Sequence, residues 1–177
     1  NLITQVNYSR RTDQVMRKLY KYELREKIGD IQIGFGVYGN GLLNYAVHTI
    51  DLIRMLIGDI TAVQALNHYN YSSSGPIRDD INLQFIVYIN NIAITLTPLN
   101  FSFYREGSLD LWGTKGRLEI LQEGLKIRFT DKDNCRSLNN SFELNSDKSV
   151  MLETGYSDAM YYLYDEVAKS LNQNSKN

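Results

Sequence analysis

Asn44, His48 and Asp51 stand at i, i+4 and i+7 in the run GFGVYGNGLLNYAVHTIDLIRMLIGD. On a helix that spacing makes one polar stripe, and the residues around it are almost all apolar. An imidazole titrates near neutrality, so a histidine and a carboxylate on a helix with little face left for water have the chemistry of proton transfer. Spacing alone leaves two readings open: a structural His48 satisfied by Asp51, or one edge of a site.

Just upstream, Gly34, Gly36 and Gly39 spell G-x-G-x-x-G, the pattern that lets backbone approach a dinucleotide pyrophosphate. Such a fingerprint also needs an acid at the carboxyl end of the next strand, where it takes the ribose hydroxyls. By count the acid is Asp59, but it precedes the strand ITAVQAL and so sits at the amino end. Asn67 and His68 stand at the carboxyl end, and neither is the required acid. The chain also does not return to alternating strand and helix, so dinucleotide binding is rejected here.

The elements that have to position the stripe follow from periodicity. Val15, Met16, Leu19, Tyr20, Tyr22 and Leu24 recur at helical intervals between Thr12 and Lys27, with Thr12 or Asp13 as cap and Gly29 as stop. IQIGFGVY reads as a strand, and Leu43 to Ile57 as a buried helix closed by Gly58. Beyond it ITAVQALNHYNY is a strand, SSSGPIRDD a loop, and INLQFIVYI and IAITLTPL a hairpin turned at Asn90 and Asn91. SLDLWGTKGRLEILQEGLKIRFT adds three short strands whose turns are too short for crossover helices. Residues 131–154 read as polar loop with an edge strand over 141–144, and SDAMYYLYDEVAKSL as a closing helix. The predicted fold class is α+β: a large, mostly antiparallel open β-sheet with helices packed on one face.

The 177 residues, 43% hydrophobic and 22% charged, suit one soluble domain with a proper core. Nineteen basic against 20 acidic side chains give a net charge of -1, which provides no bulk attraction to nucleic acid or anionic lipid. The basic residues near the start, Arg10 and Arg11 among them, read as a solvated surface. A single cysteine, Cys135, excludes an intrachain disulfide and fits a reducing cytoplasm. No apolar run is long and unbroken enough to span a bilayer. Trp112 and the 13 tyrosines suit core and a subunit interface. The opening NLITQVNYSRR lacks an initiator methionine and reads as starting inside a strand, so a fragment of a longer protein is expected.

VNYSRR, a helix, GDI, a strand, GNGLLNYAVHTIDLIRMLIGDI and, later, LWGTKGRLEI together resemble the substrate-binding C-terminal domain of the Gfo/Idh/MocA oxidoreductases, the glucose-fructose oxidoreductase and inositol dehydrogenase family. The likeness runs from Val6 to about Phe129, and the H-x-x-D helix is its most specific part. It implies a single substrate-binding and oligomerisation domain over residues 1–177, with the Rossmann domain that binds NAD or NADP outside the chain and no cofactor on this part. It also implies a carbohydrate-type substrate, cytoplasmic location and a homo-oligomer formed through the open sheet, with no nucleic acid or membrane partner. By the same likeness His48 falls on the catalytic histidine and Asp51 on the acid after it. Asn44 replaces the family aspartate, so it can orient the ring without supplying charge. Tyr38, Asn40 and Asn44, near the strand-to-helix junction, can hydrogen-bond substrate hydroxyls, with Asp51 as a further contact. The implied activity is oxidation of a sugar, sugar-nucleotide or cyclitol hydroxyl; the alternative is a non-catalytic binding or dimerisation module of the same fold.

Overall fold

The computed structural model describes residues 4–70 and 75–174. Nine strands form one sheet: β1 (Ile31–Tyr38), β2 (Ala62–Tyr69), β3 (Asn82–Ile89), β4 (Ile92–Pro98), β5 (Ser108–Gly113), β6 (Gly116–Leu121), β7 (Lys126–Asn134), β8 (Phe142–Leu144) and β9 (Val150–Glu153). Their order is β2-β3-β4-β1-β5-β6-β7-β8, and β9 also pairs with β7. Only β1 and β4 run parallel (Gly34↔Ile94); β1 meets β5 antiparallel (Gly34↔Leu111), as do the remaining pairs. The α+β architecture, with its mostly antiparallel open sheet, is therefore as the sequence implies.

Helices cover one face. Asp13 caps the first, α1 (Gln14–Lys18), by accepting from the Met16 amide at 2.7 Å. One turn of π-helix, Leu19–Glu23, then leads into α2 (Leu24–Ile28), and Gly29 stops it in the left-handed region (φ 73°). The π turn changes the phase. Met16, Leu19, Leu24 and Ile28 are the buried residues, with a step of five across the turn, while Tyr20 and Tyr22, expected on the apolar face, point to solvent. A second π turn, Leu42–Ala46, opens α3 (Val47–Leu56), which lies on β1. Gly36 leaves room for a neighbour within the sheet: a Cβ there would stand 2.3 Å from Leu96 Cδ2 of β4, whereas Thr49 Cγ2 of the helix, at 3.6 Å, would be in ordinary contact. The fourth helix, α4 (Ala159–Asn174), closes on the N-terminal segment, where the Thr12 hydroxyl bonds the Ala159 carbonyl at 2.6 Å and Arg17 pairs with Glu166.

Among the described residues, the other face of the sheet carries no helix. There Ile33 and Phe35 are 40% and 46% exposed. Alongside them runs a polar ladder in which Arg117 holds Asp110, Arg128 holds Glu119, and the Arg117 guanidinium lies 4.5 Å from the centre of the Trp112 ring.

Three sequence expectations change. Residues 4–8 form no strand; a 3-10 turn, Ser9–Arg11, begins the ordered elements. The stretch after Phe129 is not mainly loop, because β7 continues to Asn134 and two strands pair along it. The expected edge strand is Phe142–Leu144, and β9 is additional. Every residue of β9 is exposed, so it has no alternation by which to be recognised. Residues 71–74 of the expected Ser/Gly/Pro loop lie outside the described residues. No helix among those described is long and apolar enough to cross a membrane.

Candidate functional site

The stripe begins where β1 hands over to α3. Gly41 (φ 99°) turns the chain, and the side chain of Asp80, from the segment before β3, then accepts from the amides of Leu43 (3.0 Å) and Asn44 (2.8 Å). A carboxylate on two free amides at a helix start satisfies donors that have no partner within the helix and favours the positive end of its dipole. With that end fixed, Asn44 and His48 both face a cavity of about 960 Å³. Its far wall comes from Arg105, Glu106, Gln122 and Glu123, and Arg10 and Tyr156 close one side.

His48 is half-buried. The Tyr8 and Tyr45 rings meet it edge-on, with centroids 5.8 Å and 6.3 Å away, and its imidazole makes no hydrogen bond to a described residue. Burial is the main cause that lowers its pKa below the usual 6.5, and Arg10 adds to the effect; Asp51 and Glu123 act the other way. The ring is thus neutral at pH 7 and able to accept a proton. Asn44 donates its side-chain amide to the Asn40 carbonyl at 3.1 Å, and Asn40 itself adopts the left-handed region (φ 61°). Both asparagines line the cavity.

Two of the sequence-derived residues are placed elsewhere. Tyr38 is 0% exposed, and its hydroxyl both donates to the Leu83 carbonyl and accepts from the Leu83 amide, which occupies it within the core. Asp51 is buried under Arg11, whose Nε reaches both carboxylate oxygens at 2.9 Å, so its partner is that guanidinium and not His48. The surface reading fits Arg11, which stays exposed while it holds Asp51, but not Arg10. Arg10 is 9% exposed, donates through Nε to the Glu123 carbonyl at 2.9 Å, and lies 4.8 Å from the centre of the Tyr156 ring. His68 is exposed on edge strand β2, away from the cavity.

The turn between β6 and β7 was not foreseen as part of the site. Gln122 and Glu123 both have positive φ (52° and 59°), which costs a side-chain-bearing residue about 1 kcal/mol or more each. Bonds from several directions hold the strained turn: Glu106 accepts from the Gln122 amide (2.8 Å), the Gly107 carbonyl from the Glu123 amide (2.8 Å), and Glu123 Oε1 from Arg105 (3.0 Å). Strain kept in place this way is typical of functional sites. The sequence signal was only QEG, which marks a turn but not its neighbour, since β5 and β6 lie between it and β1 in the sheet.

The glycine run offers no pyrophosphate cradle. Gly34 and Gly36 lie inside β1, where Leu111 and Leu96 occupy the space beside them. The following strand, β2, is at the sheet edge and not next to β1. Among the described residues no cluster of His, Cys, Asp or Glu is arranged to hold a metal ion.

No protein-family model matches the chain, and no curated protein sequence does. Solved structures do. The super-repressor mutant of Gal80p from Saccharomyces cerevisiae superposes with a TM-score of 0.68 at 13% identity, over 98% of this chain and 54% of that one. KijD10, a 3-ketoreductase from Actinomadura kijaniata solved with NADP, gives 0.63 at 13% identity, over 95% and 53%. Levoglucosan dehydrogenase in complex with NADH gives 0.59 at 16% identity, over 89% and 50%. The chain thus spans about half the length of the structures it matches, and over that half it has the fold of the Gfo/Idh/MocA-type oxidoreductases.

Proposed function

We propose that these residues form the substrate side of an NAD(P)-dependent oxidoreductase that oxidises a hydroxyl of a carbohydrate-type molecule, with His48 as proton acceptor. The observation that carries the reading is His48 itself: a neutral, half-buried imidazole without a hydrogen-bond partner among the described residues, facing a cavity large enough for a small molecule. The nicotinamide nucleotide belongs on a domain outside these residues, and when bound it supplies the hydride acceptor. The residues here do the rest. His48 takes the hydroxyl proton on the ring nitrogen that faces the cavity, and Asn40 and Asn44 orient the substrate beside it. Tyr8 and Tyr45 hold the ring edge-on and limit water around it. KijD10 and levoglucosan dehydrogenase, both solved with nicotinamide nucleotides, support the class of chemistry. The helix-free face of the sheet, with Ile33 and Phe35, is the surface we assign to self-association.

The test is reduction of NAD or NADP by the protein as its gene encodes it, over a panel of sugars and cyclitols. Wild type should produce reduced nicotinamide, and kcat/KM should rise with pH through an apparent pKa below 6.5 and then level, because only neutral His48 accepts a proton. His48→Gln should lower kcat by about a hundred-fold or more. Failure of every sugar to reduce either nucleotide would overturn the reading.

A non-catalytic binding module of the same fold is the second reading. Asn44 favours it, since its amide is built into the Asn40 turn at the place where the resemblance expects a carboxylate. The structural match to a protein described as a super-repressor mutant favours it too. Wild type that binds sugars without turnover would select this reading.

A further inference from the structure

Four charged side chains line the cavity beside His48: Arg10, Arg105, Glu106 and Glu123. Their formal charges cancel, and each is already engaged. Arg105 gives Nε to Glu123 Oε1 at 3.0 Å, Arg10 is spent on the Glu123 carbonyl and the Tyr156 ring, and Glu106 accepts the Gln122 amide at 2.8 Å. Among the described residues, no lysine reaches the lining. His48 is held uncharged at neutral pH by burial and by Arg10. We infer that this cavity takes an uncharged, polyhydroxylated ligand and discriminates against phosphorylated or carboxylated ones, with Arg105, Glu106 and Gln122 reading hydroxyls at the end away from His48. The inference rests on the cavity being the substrate site.

Its physical basis is the pairing pattern. A hydroxyl both donates and accepts, so it can donate to the second oxygen of Glu106 while accepting from the terminal nitrogens of Arg105, and no ion pair has to break. An anion has two options, both unfavourable. It can displace Glu123 from Arg105, leaving that carboxylate unpaired in a partly buried wall, or it can lie beside two carboxylates in the same wall. The strained Gln122–Glu123 turn fixes the choice, since it carries the Glu123 carboxylate to Arg105 and its carbonyl to Arg10.

The experiment is calorimetric titration of the protein as its gene encodes it with four probes: D-glucose, myo-inositol, D-glucuronate and D-glucose 6-phosphate. The neutral pair should bind about ten-fold or more tightly than the charged pair. In Glu123→Gln the guanidinium of Arg105 loses its counter-charge, so affinity for the two anions should rise about ten-fold and become salt-dependent while glucose changes little. Equal or tighter binding of the anions by wild type overturns the inference, as does binding of no probe in the millimolar range or an unchanged preference in a folded Glu123→Gln. Binding is read without hydride transfer, which keeps the two readings separable. Neutral sugars bound but never oxidised would sink the oxidoreductase reading alone, and turnover confined to charged sugars would sink this inference alone.

Discussion

Asn44 illustrates how one atom can set the behaviour of its neighbour. Its amide hydrogen goes to the Asn40 carbonyl, a bond that a carboxylate cannot make. Asn44→Asp should therefore lose about 1 kcal/mol of stability, as one broken hydrogen bond of this kind is worth. The new negative charge, one helical turn from His48, favours the protonated ring, so the acid limb of kcat/KM should move to higher pH and activity near pH 6 should fall. Chemical denaturation and a pH–rate profile check the two effects separately. At this scale the sequence placed His48 and Asn44 on one face, and both line the same cavity, because four residues of spacing on an apolar helix can be read locally. It could not reveal that Arg11 would claim Asp51, or that Leu83 would claim the Tyr38 hydroxyl, since those partners lie 40 and 45 residues away and meet only in the folded state.

Among the elements, the π turn that opens α3 depends on a residue from another part of the chain. Removing the Asp80 carboxylate deprives the Leu43 and Asn44 amides of their acceptor. Asp80→Ala should cost about 1–2 kcal/mol in urea unfolding, the range for a lost helix cap, and should weaken sugar binding because the end of the helix that carries Asn44 is freed. Which elements were legible follows from how each one is specified. The β3–β4 hairpin is encoded by its own turn, with Asn90 at φ 52° and Ile89 paired to Ile92. The first helix was recognised but its buried face was misread at Tyr20 and Tyr22, because a π turn shifts the phase and leaves no periodic signature. β9 is defined by its partner β7 and not by its own pattern.

For the molecule as a whole, the contrast between the two sheet faces is the main feature. Phe35→Lys puts a charge in place of an exposed apolar ring on the helix-free face, and sedimentation velocity should show the protein shifting toward monomer while its circular dichroism stays unchanged. Monomeric wild type would remove the assignment of that face to self-association. The sheet order has a further consequence for how the chain is made. β1 is made before both of its neighbours, β4 and β5, so one flank stays open until synthesis passes Pro98 and the other until it passes Gly113. Before Pro98 is made, Ile33 and Phe35 lie on a strand with two open edges, and between Pro98 and Gly113 on a strand with one. Closing it needs contacts between distant parts of the chain, which form slowly and leave nascent protein open to mispairing. Expression at reduced temperature, or with a chaperone that shields extended apolar segments, is thus expected to raise the soluble yield.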